Sequence, residues 1–155
     1  MGRKLESFES NIVDFGAFRE KRRLVAGTAL VSLPVFYINE TRCTEPALRS
    51  FPFLDFLSIN SVADFETALK VKTPVLVIVD AFLSWADPLE MIRRVGELPD
   101  CKVVLVYRPE EEKKNQEIFK QAFPLGLFDT VATPVTRDEL LERLDVLFRL
   151  NLRRV

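Results

Sequence analysis

A carboxylate at the end of an apolar run is the most chemically loaded feature of this sequence. Pro74-Val75-Leu76-Val77-Ile78-Val79 is uniformly apolar and rich in β-branched residues, and it leads directly into Asp80. Such a run buries both of its faces, as central parallel strands do. An aspartate placed there can be a nucleophilic or acidic group at a sheet-end site, a polar strand-end residue, or a cap for the turn Ala81-Phe82. The rest of the catalytic inventory is thin. The chain has no histidine, which removes the usual zinc sites, the Ser-His and Cys-His nucleophile pairs and the commonest general base. Cys43 and Cys101 stand far apart, and reduced thiols are the expectation. The five glycines are scattered and make no phosphate-cradling loop. No catalytic residue, metal site or cofactor is assigned.

The elements that must position Asp80 follow from periodicity. Besides the strand at 74–80, Lys102–Tyr107 is an apolar run, Phe128–Ala132 a weaker one and Leu54–Ile59 a fourth strand candidate. Between them lie helical patterns. Ser61–Asp64 is a capping box, and Asp87-Pro88 sets a cap and a first-turn proline before Leu89, Ile92 and Val95. Glu110–Phe123 is a charged helix, and Thr136–Glu139 is a capping box for a last helix carrying Leu140, Leu144 and Leu147. A short helix is expected around Glu45–Ser50. The first strand falls in Ala29–Leu33 or Pro34–Asn39, since Pro34 lacks the donor that a continuous central strand would need. Alternating strands and helices of this length imply a doubly wound, five-stranded parallel sheet, with any site at the carboxyl ends of its strands.

The 155 residues suit one core, read here as an α/β domain over 27–155 behind an N-terminal extension over 1–26. In the extension, Leu5, Phe8, Ile12 and Phe15 repeat at helical spacing and predict an amphipathic helix. A net charge of −1 disfavours nucleic acid as a partner. No apolar stretch is long enough to span a bilayer and none follows the N-terminus as a signal peptide would, so a cytoplasmic protein is expected.

From about Leu54 onward, the order of elements resembles the receiver domain of two-component response regulators. The resemblance rests on Thr73–Asp80, an apolar strand ending in aspartate after a proline, and on Ala132–Leu140, which is similar to the receiver segment where Lys-Pro, joined by a cis peptide, precedes the final helix. It implies a flavodoxin-like fold and places Asp80 at the phosphoacceptor position. Glu40, Tyr107, Thr133 and Pro134 fall at the other pocket positions. The departures matter more than the matches. Receivers hold magnesium with an acidic pair after the first strand, and Asn39-Glu40 supplies one carboxylate. The resemblance puts Tyr107 or a neighbour where the family has a small hydroxyl residue, and Thr133 in place of its lysine. Magnesium needs carboxylates, and phosphoryl transfer needs its charge neutralised.

The expectation is therefore a degenerate receiver: a non-catalytic signalling module that binds proteins independently of phosphorylation, with Asp80 a vestigial acceptor. The alternatives are an atypical regulator still phosphorylated on Asp80 and a small flavodoxin-like enzyme. Phe82 and Trp85 follow Asp80. Exposed, they would mark a recognition surface; folded back, they would plug the space of the ion. A protein partner, a homodimer, and the surfaces formed by Leu5, Phe8, Ile12 and Phe15 and by the last two helices complete the expectation.

Overall fold

The computed structural model describes residues 32–152, with side chains described through Phe148. The expected extension over 1–26, with Leu5, Phe8, Ile12 and Phe15, lies outside these residues. Two units are distinguished, Leu33–Arg137 and a second that includes Asp138 onward.

The first unit holds the strands β1 (Leu33–Ile38), β2 (Leu54–Ile59), β3 (Leu76–Asp80), β4 (Lys102–Tyr107) and β5 (Leu127–Ala132). They form one sheet in the order β2-β1-β3-β4-β5, and every neighbouring pair is parallel. Parallel neighbours require crossovers. These are α1 (Glu45–Arg49), α2 (Val62–Val71), α3 (Pro88–Gly96) and α4 (Glu112–Ala122). Of the two stretches proposed for the first strand, the second is the strand. Pro34 is its second residue, where a missing donor costs little, and its carbonyl still accepts the Val75 N–H at 3.0 Å.

The two faces of the sheet follow from the period of two along each strand. Phe36, Ile38, Val77, Val79, Val103 and Leu105 join Phe65 of α2, Ile92 of α3 and Ala122 of α4 in one apolar cluster. The alternating residues Tyr37, Ile78, Val104 and Val106 are buried on the other face, where the Tyr37 hydroxyl accepts the Thr44 N–H at 2.8 Å just before α1. The caps predicted at Ser61 and Asp87 form. Ser61 accepts from the amide of Asp64 and Asp87 from that of Leu89. At the end opposite Asp80, Gly96 closes α3 against Gly126, which has a left-handed φ of 113°. A Cβ on Gly96 would lie 2.5 Å from the carbonyl oxygen of Leu125, so only glycine admits this backbone approach.

The second unit carries nearly all of α5 (Arg137–Leu152). Its Leu140, Leu144, Leu147 and Phe148 are buried, the stripe expected from their helical spacing. Among the described residues no helix is long and apolar enough to cross a membrane.

Candidate functional site

The strand order sets β3 at the centre of the sheet, so the segments after β1, β3 and β4 converge at its carboxyl end. Asp80 ends β3 and is wholly buried. Its Oδ2 accepts the backbone N–H of Glu40 at 3.0 Å. Among the described residues its Oδ1 is buried with no hydrogen-bond partner, which is uncommon for a native polar atom. Burial is the main reason that the carboxyl is pushed up to about 7; the Glu40 amide and the Arg108 guanidinium act against that rise, and the Glu40 charge adds to it.

Glu40 is exposed, yet its carboxylate is engaged. Oε1 accepts the backbone N–H of Ser84 at 2.8 Å and Oε2 the Ser84 hydroxyl at 2.7 Å. These bonds hold Glu40 below the usual carboxylate range. The segment after β1 is thus tied to the segment after β3. A second tie runs beside the first, because the Trp85 indole N–H donates to the Asn39 carbonyl at 3.0 Å. Trp85 is partly buried against the apolar cluster. Trp85 is thus half-buried and tied to the end of β1.

Asn39, fully buried, anchors this corner. Its Nδ2 donates to the Tyr37 carbonyl at 3.0 Å and to Ser58 Oγ at 2.9 Å. Its Oδ1 accepts from the Arg42 amide at 3.1 Å and from Asn60 Nδ2 at 3.2 Å. Side chains of this kind with every group satisfied specify one local geometry.

Phe82 lies under the Arg108 guanidinium, whose carbon is 3.9 Å from the ring centroid, a close cation–π approach. Arg108 also reaches Glu111 at 3.6 Å. Phe82, Ser84, Asp87, Leu89, Arg108 and Lys114 are among the residues lining an open cavity of about 430 Å³. Tyr107 packs edge-on against Phe119 with centroids 5.1 Å apart, and its carbonyl accepts the Thr133 N–H at 2.8 Å. The Thr133-Pro134 peptide is cis.

The structure thus brings Asp80 and Glu40 together at the end of β3, with Trp85 tied to the residue before Glu40 and Phe82 under Arg108. Tyr107 and Thr133 meet through their backbones at the ends of β4 and β5. From the sequence, Asn39 enters the site only as the residue before Glu40 that lacks a carboxylate, and Ser84 and Arg108 do not enter at all. Arg108 was legible as the first residue beyond β4. Ser84 carries no sequence signal for its bond to a residue 44 positions earlier.

The sequence matches no protein-family model and no curated protein. Solved structures do match. A response regulator from Thermotoga maritima is 23% identical, with a TM-score of 0.63 over 77% of this chain and 99% of that one. A two-component response regulator from Clostridium difficile is 15% identical, with a TM-score of 0.64 over 76% and 97%. The receiver domain of the TMAO respiratory system response regulator TorR is 18% identical, with a TM-score of 0.64 over 76% and 98%. At these identities the likeness establishes the fold, a five-stranded parallel receiver-like α/β sheet.

The magnesium ion implied by the receiver resemblance does not fit the donors present. Asn39 falls where the resemblance would need a first carboxylate, and its Oδ1 is occupied by two donors. The Glu40 carboxylate is bonded to Ser84. Thr133, which the resemblance sets at the lysine's position, carries no charge for a phosphoryl oxygen. Among the described residues no three His, Cys, Asp or Glu side chains group as metal ligands.

Proposed function

We propose that this chain is a pseudo-receiver: a non-catalytic regulatory module that works in the cytoplasm by binding other proteins, without phosphorylation of Asp80. The observation that carries this reading is the Glu40–Ser84 bond pair, at 2.8 and 2.7 Å. The one carboxylate beside Asp80 is committed to holding a loop. A phosphorylatable aspartate needs positive charge around the transferred oxygens. Here Asp80 has a backbone amide, a neighbouring carboxylate and a guanidinium stacked on Phe82. The partner is a protein, and the proposal includes a homodimer built through the face of Leu5, Phe8, Ile12 and Phe15 or through α4 and α5.

The test is incubation of the full chain with a small-molecule phosphodonor and magnesium, followed by intact mass. The expected result is an unchanged mass. A gain of one phosphoryl group that disappears in Asp80→Asn overturns the reading.

A further inference from the structure

The segment leading from β3 into α3 and the start of α4 enclose an opening at the carboxyl end of the sheet. It is the open cavity of about 430 Å³, a size within the range of roughly 300–1,000 Å³ that small-molecule sites occupy. Phe82, Leu83, Pro88, Leu89 and Ile118 give it an apolar wall, and Arg108 and Lys114 give it two cations. An apolar lining with a few polar groups is the usual build of such sites.

Arg108 is held in place from two sides. Its backbone carbonyl accepts Asn115 Nδ2 at 2.6 Å and the Glu111 N–H at 3.1 Å, and Asn115 is itself buried. Its guanidinium carbon stands 3.9 Å from the Phe82 ring centroid. Among the described residues the guanidinium nevertheless donates no hydrogen bond. Its approach to Glu111 Oε2 is 3.6 Å, beyond bonding distance. Lys114 Nζ is 3.7 Å from the other oxygen of the same carboxylate. One glutamate thus lies between two cations and bonds to neither. The carboxylates of Asp87 and Glu40 are engaged elsewhere, on the Leu89 amide and on Ser84. A guanidinium carries five N–H donors in a fixed fork. A positioned one with its donors unused matches a carboxylate that arrives from outside.

We propose that the cleft between α3 and α4 is a binding site for a small organic anion, an apolar body carrying one carboxylate. The carboxylate takes the donors of Arg108, with Lys114 beside it, and the apolar body lies against Leu89 and Ile118. Glu111 competes with the ligand for the same two cations, so the charge at position 111 tunes the affinity. The site goes beyond the protein-binding reading and does not rest on it, since phosphorylation of Asp80 plays no part in it.

The test is titration of the full, isotopically labelled chain with naphthoate and with its neutral counterpart naphthalenemethanol, followed by amide NMR. Naphthoate is expected to shift the amides of Phe82, Leu89, Arg108 and Ile118 together and to saturation. The alcohol is expected to bind the same cleft about tenfold or more weakly, the scale of a lost charge-assisted bond. Arg108→Gln is expected to bring naphthoate down to the affinity of the alcohol and to leave the alcohol unchanged, which shows that the cavity persists. Glu111→Gln is expected to bind naphthoate more tightly, because the competing charge is gone. That substitution removes no helix cap, since the Glu111 side chain makes no capping bond. No saturable shift, shifts centred away from the cleft, or equal affinity for acid and alcohol overturns the proposal. So does a folded Arg108→Gln chain that still prefers the acid, or a Glu111→Gln chain that binds it no more tightly. If Arg108→Gln does not fold, the acid–alcohol pair and Glu111→Gln decide.

Discussion

The backbone amide of Glu40 sits 3.0 Å from Oδ2 of Asp80, forty residues away in sequence, and it is the only hydrogen-bond donor resolved on that carboxyl among the described residues. A single neutral donor is little compensation for burying a carboxylate, because a buried charge is stabilised only when paired and fully bonded. Several measurable consequences follow from this and from neighbouring contacts.

Stability is expected to fall as pH rises across neutrality. The folded carboxyl of Asp80 holds its proton more tightly than the unfolded one, about 7 against 3.8. Its contribution is therefore complete below the unfolded value and lost as pH rises through the folded value. Glu40, Glu66 and Glu90 are shifted downward, so their contributions are lost only in acid. Urea unfolding at pH 5.5 and 8.5 checks this. Asp80→Asn is expected to flatten the difference and to stabilise the protein at pH 8.5 by on the order of 1–3 kcal/mol, the shift being discounted for the new amide's own unmet bonds. A wild-type protein equally stable at both pH values contradicts the expectation.

Gly96→Ala is expected to destabilise the domain by about 1–3 kcal/mol or more, the usual range for overpacking. The added carbon meets the backbone oxygen of Leu125 at 2.5 Å, which no side-chain rotation relieves. Thermal unfolding measures the loss. Gly126→Ala is strained for a different reason, its positive φ, and costs about 0.5–1 kcal/mol or more.

Tyr37→Phe keeps the ring and removes the acceptor of the buried Thr44 N–H. Leaving such a donor unmet costs roughly 1–3 kcal/mol. In spectrophotometric titration of the folded wild-type chain, Tyr37 is expected to resist ionisation well above the ordinary tyrosine range, because burial is the largest cause of its upward shift. Its ionisation then appears together with unfolding.

The homodimer is tested by sedimentation of the full chain beside Phe8→Asp and Ile12→Asp variants. Placing charge on the apolar stripe is expected to convert dimer to monomer, since a stripe that holds an interface tolerates no unpaired charge at its centre. A wild-type chain that runs as a monomer at high concentration removes the dimer and leaves a protein of different sequence as partner.

Much of the frame was legible because burial writes itself into composition. β3 and β4 are continuous apolar runs, and their burial on both sides is what such runs mean. The caps at Ser61 and Asp87 were legible because capping is local: the acceptor and its amide lie two or three residues apart. The first strand was ambiguous because Pro34 weakens a local pattern that pairing on both sides then rescues. The likeness of Asp80 to a phosphoacceptor was legible from the strand that ends in it. The loop tie was not, because Glu40 and Ser84 meet only after two strands have taken neighbouring places in the sheet. An exposed glutamate and an exposed serine look alike in any sequence.

The meeting of Glu40 and Ser84 also bears on how this protein can change over generations. Two surface positions that seem free to drift are coupled by a pair of bonds, so a substitution at one leaves the other's hydrogen-bonding groups facing water or facing nothing. Across descendants of this chain, positions 40 and 84 are expected to vary together, as acid with hydroxyl or as neither. Asp80 meets that partnership through the Glu40 backbone alone, without touching Ser84.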